Sequence, residues 1–331
     1  MKKIYPSKLK VGDEIRVIAP ARSLGIISDE IRKIANQRFG DLGLKLSFGK
    51  HVEEMDEFKS SSIKSRLKDL HQAFADNSIK AIITVIGGFN SNQLLDYIDW
   101  NLLKKNPKIL CGYSDITVLN NAIYAKTGIV TYSGPHYSTF GMKNYFDHTL
   151  DYFKKCLFSN KPFEVLPSEY WTDDMWYQNQ EKRKPIENKG FLAINQGNSS
   201  GTILASNLCT FNLLQGTKYF PPLKNSILFL EEDNLERNYT AVGFDRNLQS
   251  LIHQKYFKGV KGVVIGRFQK ESEISEDVIK KIIKSKKELE KIPVVANVDF
   301  GHTDPRITFP VGGIAEMSVK KSGIKIKIIK H

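Results

Sequence analysis

A serine placed two residues past a glycine, where an apolar run gives way to a helix, is the most chemically suggestive feature of this chain. Residues 108–117 read Lys-Ile-Leu-Cys-Gly-Tyr-Ser-Asp-Ile-Thr, so a short buried strand stops at Gly112 and Ser114 occupies the turn before an amphipathic helix carrying Val118, Leu119, Ala122 and Ile123. Junctions of this kind expose a nucleophilic hydroxyl above a parallel sheet and aim the following backbone N–H groups at a reacting oxygen. The usual elbow is Gly-x-Ser-x-Gly, and here the fifth position is Ile116. The turn therefore needs support from elsewhere in the chain.

A serine hydroxyl is a weak nucleophile near neutral pH; it needs a base, and the base needs an acid to orient it. Among the seven histidines, His71 and His253 fall on helical apolar faces, where packing or surface roles suffice. His302 stands in Val298-Asp299-Phe300-Gly301-His302-Thr303-Asp304-Pro305, a loop after an apolar strand that can turn a side chain into a cleft. The acid candidates end another apolar run, residues 226–230, as Glu231-Glu232-Asp233. If the strand continues through them, Glu231 and Glu232 point to opposite faces, and only one can meet His302. The same acids leave two other readings open. A metal site would use such oxygens, though no His-rich or Asp-x-Asp pattern joins them. A glycosidase-type carboxylate pair is the other, though adjacent strand residues diverge. Gly87-Gly88-Phe89-Asn90-Ser91-Asn92 lacks both G-x-G-x-x-G and a following Lys-Ser/Thr, which weakens dinucleotide and P-loop readings. A glycine pair at a strand end does suit an oxyanion hole, because a backbone N–H can approach the substrate unobstructed.

The elements that must hold these groups alternate in the first half. Residues 14–19, 44–48, 81–86, 109–111 and 129–132 read as strands, and residues 28–38 (with Ser28 as N-cap), 62–74, 91–97 and 117–126 as helices. Alternation of this kind predicts a doubly wound, Rossmann-like parallel α/β sheet, with ligands outside the carboxyl ends of its strands. The second half predicts a mixed α/β domain rich in antiparallel strands, at residues 200–205, 226–230, 260–265, 294–298, 307–309, 315–319 and 324–329, with helices near 247–254 and 275–291. The expected division is a nucleophile domain at 1–160, a linker and substrate loop at 161–198, and at 199–331 a domain carrying the acid and the base.

The 331 residues are 41% hydrophobic and 26% charged, an ordinary globular composition without an eighteen-residue apolar run, so no membrane span is expected. The N-terminal stretch breaks at Pro6 and lacks the apolar core of a signal peptide, so a cytoplasmic location is expected. Three cysteines are too few for a disulfide framework or a zinc site, and Cys111 and Cys209 read as buried thiols. A net charge of +13 suits an anionic substrate. The densest lysines, from Lys280 to Lys287, alternate with Ile282 and Ile283 on what reads as a solvated helix face, and no nucleic-acid signature is present, so no nucleic-acid partner is expected.

Leu9-Lys10-Val11-Gly12-Asp13 leading into Ile18-Ala19-Pro20, then Gly87-Gly88, Gly112-Tyr113-Ser114-Asp115, Asn207-Leu208-Cys209, Leu213-Leu214-Gln215-Gly216-Thr217, Phe229-Leu230-Glu231, and Gly301-His302-Thr303 before Pro310-Val311-Gly312 follow one another in this order. Together they resemble the LD-carboxypeptidase and microcin C immunity family of serine peptidases over essentially the whole chain. The resemblance implies a triad of Ser114, Glu231 and His302, with the N–H groups of Gly88 and Asp115 as oxyanion donors. It also implies a cleft between two domains, no cofactor or metal, and a homodimer. The Gly88–Asn92 stretch resembles the immunity-type branch more than the Gly-Gly-Tyr-Gly form of cell-wall recycling enzymes. In that branch an aromatic stacks on a nucleobase, which makes Trp171 or Trp176 a candidate, with Asn90 and Asn207 as further substrate contacts. Residues 234–244 look like an insertion after the acid. The preferred reading is amide cleavage in a small peptide or aminoacyl-nucleotide substrate. The alternatives are a muramoyl-tetrapeptide LD-carboxypeptidase, an unrelated α/β-hydrolase esterase, and a non-catalytic two-domain ligand-binding protein.

Overall fold

The computed structural model describes residues 2–331. Strands β1 (Glu14–Ile18), β2 (Lys45–Phe48), β3 (Ile79–Thr84), β4 (Ile109–Cys111) and β5 (Thr131–Ser133) pair in parallel in the order β2-β1-β3-β4-β5. Helices α1 (Asp29–Asp41), α2 (Ile63–Ala75), α3 (Trp100–Lys105) and α4 (Thr117–Thr127) connect them, and α5 (Asp147–Leu157) follows. Ser28 caps α1 by accepting the Ile31 N–H, and Ser62 caps α2 by accepting that of Ser65. Residues 91–97, read as an α-helix, form a 3-10 helix instead. The chain winds from β1 outward to β2, then crosses back to β3 on the other side of β1. A crevice opens at such a switch point, beyond the carboxyl ends of the strands. Gly87-Gly88 follows β3 directly into it.

The remaining elements are β6 (Phe163–Val165), β7 (Tyr170–Trp171), β8 (Ile186–Glu187), β9 (Leu192–Asn195), β10 (Gly197–Asn207), α6 (Leu208–Asn212), β11 (Ser226–Glu231), α7 (Thr240–Ile252), β12 (Gly262–Gly266), α8 (Glu276–Lys284), β13 (Val294–Val298), β14 (Phe309–Val311), β15 (Ile314–Lys320) and β16 (Gly323–Lys330). The second sheet runs β6-β16-β15-β10-β11-β12-β13-β9. The expected fold class, a parallel doubly wound sheet with a second mixed α/β part, is the one observed. Antiparallel pairing is confined to the flanks of that second sheet, whereas β10, β11, β12 and β13 are mutually parallel. Their composition explains this: β11 and β12 are buried at every position, the mark of a strand covered on both faces. In β15 the buried Ala315, Met317 and Val319 alternate with exposed or half-buried residues, the pattern of a half-covered antiparallel strand.

Three expectations need correction. Residues 161–198 are not only linker and loop: β6 and β9 close the two edges of the second sheet, and β7 pairs with β8. Strands of two to four residues carry too little periodicity to be read from sequence. The strand expected at 307–309 in the second half lies instead at Phe309–Val311, where it pairs antiparallel with β5 and extends the first sheet. Helix α4, read as amphipathic, is buried nearly all round. Its polar Asn120 and Asn121 are buried with their amide nitrogens paired. Asn120 Nδ2 donates to the Gly112 carbonyl (2.9 Å), and Asn121 exchanges bonds with the backbone of Ala205 on β10 (3.0 and 3.3 Å).

Phe309 is fully buried between the two halves, its ring 4.8 Å from that of Phe229 and 5.3 Å from that of Phe300. Phe309→Ala should destabilise the fold by about 3–5 kcal/mol, read as a lowered urea midpoint; a loss below about 1 kcal/mol would show that this junction does not hold the sheets together.

Candidate active site

Where β4 ends, Ser114 takes a φ of 59°, in the left-handed region, and opens a 3-10 turn that runs into α4. Non-glycine residues hold this strained conformation mainly where the surroundings enforce it, and functional turns are the common case. Ser114 Oγ lies 3.0 Å from His302 Nε2, and His302 Nδ1 lies 2.7 Å from Glu231 Oε2. A carboxylate can only accept, so Nδ1 carries the proton and Nε2 is left to accept from the serine hydroxyl. That order of donors and acceptors can carry a proton from Ser114 to the imidazole while Glu231 holds the ring in place.

Each member is delivered by a different element. Glu231 ends β11 and is 1% exposed. His302 follows Gly301, whose φ is +100° and where a Cβ would fall 2.7 Å from Glu231 Oε2; only glycine allows the loop this close to the acid. On the other side, a Cβ at Gly87 would fall 2.9 Å from Ser114 Oγ, so this glycine leaves room over the serine hydroxyl. Glu232 turns away and accepts from Asn207 Nδ2 (3.3 Å) and the Cys209 N–H (3.0 Å), and burial pushes its carboxyl up to about 7. Burial works against a charged His302, but the Glu231 carboxylate outweighs it and raises the imidazole above its ordinary value of 6.5.

The side chain of Asp115 accepts the N–H groups of Asn90 (3.1 Å) and Ser91 (2.9 Å), pinning the segment after Gly87-Gly88 to the serine turn. Burial raises this carboxyl despite those donors. A cleft of about 340 Å³ opens over Ser114 and His302, with Gly88, Tyr113, Trp176 and Arg306 among its walls. Trp171 is not there: it lines a neighbouring cavity, its ring 5.0 Å from the Arg267 guanidinium.

Neither asparagine expected to touch substrate presents its side chain to the cleft. Asn90 is buried and donates to Ser60 Oγ (3.0 Å), and Asn207 caps α6 through the Thr210 N–H. Cys209, expected to be buried, is exposed, because Leu208 and Phe211 take the core side of that short helix. Nor is the net positive charge concentrated at the cleft, where Arg22 and Arg306 face Asp173, Asp174, Asp233 and Asp304. Sequence reasoning passed over Tyr113, His136 and Arg306 as site residues. Tyr113 and Arg306 were signalled only by their nearness to Ser114 and His302 in the sequence, and His136, which follows β5, carried no such signal.

Two family profiles match in order: the LD-carboxypeptidase N-terminal domain over residues 15–134 and the LD-carboxypeptidase C-terminal domain over residues 200–317. The putative carboxypeptidase YocD of Bacillus subtilis (strain 168) is 51% identical over 99% of this chain and all of its own length. A crystal structure of an MccF-like protein from Bacillus anthracis str. Ames superposes with a TM-score of 0.98 at 55% identity, covering 99% of this chain and 100% of that one. A structure of MccF in complex with glutamyl sulfamoyl guanosine superposes with a TM-score of 0.86 at 26% identity, covering 98% of both chains. The resemblance drawn from the motifs is thus borne out, and the chain belongs to the LD-carboxypeptidase family of serine-type carboxypeptidases.

Proposed function

We propose that this protein hydrolyses an amide-type bond at the carbonyl of an aminoacyl-nucleotide, with Ser114, His302 and Glu231 as its triad. The observation that carries the reading is the hydrogen-bonded chain from Ser114 Oγ through His302 to the buried Glu231. Ser114 attacks the carbonyl as His302 takes its proton, and the N–H groups of Gly88 and Asp115 stabilise the developing oxyanion. His302 then gives the proton to the leaving nitrogen. A water molecule, activated by the same imidazole, releases the acyl group and restores the serine. Two things favour a nucleotide-bearing substrate: Trp176 stands on the cleft wall, and the related MccF structure holds an aminoacyl sulfamoyl nucleoside.

Ser114→Ala should abolish labelling by a fluorophosphonate probe and lower kcat by on the order of a millionfold; activity within about tenfold of wild type would refute the nucleophile. Absence of labelling in the wild type would instead favour a non-catalytic ligand-binding protein.

His302 must be neutral to accept the serine proton and its pKa is raised, so activity should be lost as pH falls through a value above 6.5. Removing the carboxylate in Glu231→Gln leaves burial opposed only by the weaker pull of Asp233. The acid limb of kcat/KM should then move to lower pH, alongside a large drop in rate. An unshifted limb would dissociate Glu231 from the base.

Base–aromatic stacking contributes roughly 1–3 kcal/mol. Trp176→Ala should therefore raise KM for an aminoacyl-nucleotide by about ten- to a hundredfold, whereas Trp171→Ala should have little effect. If both variants handle that substrate as wild type does and a peptidoglycan tetrapeptide is cleaved more efficiently, the muropeptide carboxypeptidase reading replaces this one.

A further inference from the structure

Beside Ser114 the cleft holds polar groups for which the triad has no use. Arg306 is 4% exposed, and its guanidinium lies 4.3 Å over the Tyr113 ring. Its Nη2 donates to Asp304 Oδ1 at 2.6 Å, but Nε and Nη1 find no acceptor among the described residues. His136 is 1% exposed and packs on the same Tyr113, ring centroids 4.3 Å apart. Its Nδ1 lies 2.7 Å from Thr84 Oγ1, while its Nε2 has no partner among the described residues. The Thr84 hydroxyl also faces the Cys111 carbonyl, at 3.4 Å. The shorter contact is the better use of its single proton, so Nδ1 accepts and Nε2 bears the hydrogen. Burial, with Arg306 and His302 nearby, keeps this imidazole neutral.

Gly87 locates the gap. A Cβ there would lie 2.9 Å from Ser114 Oγ and 3.6 Å from His136 Nε2, so the space that the glycine leaves open is bounded by both. One wall of the reacting centre thus carries three nitrogens with hydrogens to donate and no acceptor to meet them. A buried donor left unpaired destabilises the fold, and more so when it is charged. The cleft's own carboxylates already have partners. Asp304 takes Nη2 alone, Asp174 pairs with Arg183 (3.3 Å), Asp173 with Lys270 (3.5 Å), and Asp233 accepts the Leu235 N–H (2.9 Å).

We propose that Arg306 and His136 receive an anionic group of the substrate, a carboxylate or phosphoryl oxygen next to the scissile carbonyl, and thereby select acidic substrates. This deepens the hydrolase reading of Ser114 and rests on it. The bulk charge of the protein plays no part in the selection; a few shielded donors do, in a low-dielectric wall where hydrogen bonds to an oxyanion are strongest.

The test uses the full chain and reads ratios. For a peptide substrate with a free terminal carboxylate and its carboxamide analogue, the wild type should favour the acid by about tenfold or more in kcat/KM, mostly through KM. Arg306→Gln should bring that ratio close to one. His136→Leu should lower it, and His136→Gln, which keeps an N–H donor, should restore much of it. In a second arm, calorimetric binding of adenosine monophosphate should weaken about tenfold or more in Arg306→Gln. A change confined to the peptide ratio supports a carboxylate, and one confined to the nucleotide supports a phosphoryl group. If neither changes, or both peptides lose activity equally with the ratio intact, the proposal is overturned and Arg306 serves only to hold its loop. If Arg306→Gln does not fold, Arg306→Lys and the wild-type preference decide, and a wild type indifferent to the carboxylate that also fails to bind the nucleotide overturns it. Failure of fluorophosphonate labelling would sink the hydrolase reading alone, because nucleotide binding still reads Arg306.

Discussion

Helix α4 lies wedged between the two sheets, and the geometry over Ser114 depends on its place there. The helix begins three residues after the serine, and Val118, Leu119, Ala122 and Ile123 are fully buried. Burial of large apolar side chains contributes about 1.5–3 kcal/mol each, against about 0.5–1.5 for a typical hydrogen bond. Apolar packing therefore supplies the affinity between the halves, and the polar bonds supply the register. Asn121 clasps the backbone of Ala205, Thr117 Oγ1 accepts the Asn207 N–H, and Asn207 lies beside Glu231 across the parallel β10–β11 pair. The serine turn and the acid are thus joined through a short line of bonded residues, although they lie more than a hundred residues apart in the chain.

The same junction explains why so much polarity is buried near the site. Glu231, Glu232, Asp115, His136 and Arg306 are all below a tenth exposed. Charges in such surroundings persist only when paired or hydrogen-bonded. Most of these groups meet that condition within the fold: Glu231 through His302, Asp115 through two backbone N–H groups, and Glu232 through Asn207 and Cys209. Two adjacent carboxylates are thereby kept apart in role, one facing the imidazole and the other closing the start of a helix. Among the described residues, Nε and Nη1 of Arg306 and Nε2 of His136 are donors that remain without partners beside the serine.

Local chemistry in the sequence was sufficient for several features. Ser28 and Ser62 announced the starts of α1 and α2, because a side-chain acceptor before an apolar period is what a helix N-terminus requires. Continuous apolar runs marked the parallel strands, and the glycines at 87, 112 and 301 marked places where backbone or loop must come close. The order of motifs was enough to name Ser114, Glu231 and His302 together, and the strand period separated Glu231 from Glu232.

What required the tertiary structure was every property that depends on a distant partner. Asn120 and Asn121 look like a solvent face until Gly112 and Ala205 are seen beside them. Residues 307–309 read as one more strand of the second half, yet backbone pairing with β5 places the observed strand, Phe309–Val311, in the first sheet. Trp171 and Trp176 are indistinguishable in a short polar stretch, but pairing of β7 with β8 directs one toward Arg267 and leaves the other at the cleft. Which residues could react and which elements would carry them was legible in the chain, since both follow from side-chain chemistry and local periodicity. Which of them meet followed from the folded contacts, because hydrogen-bond partners and burial are set by segments remote in the chain.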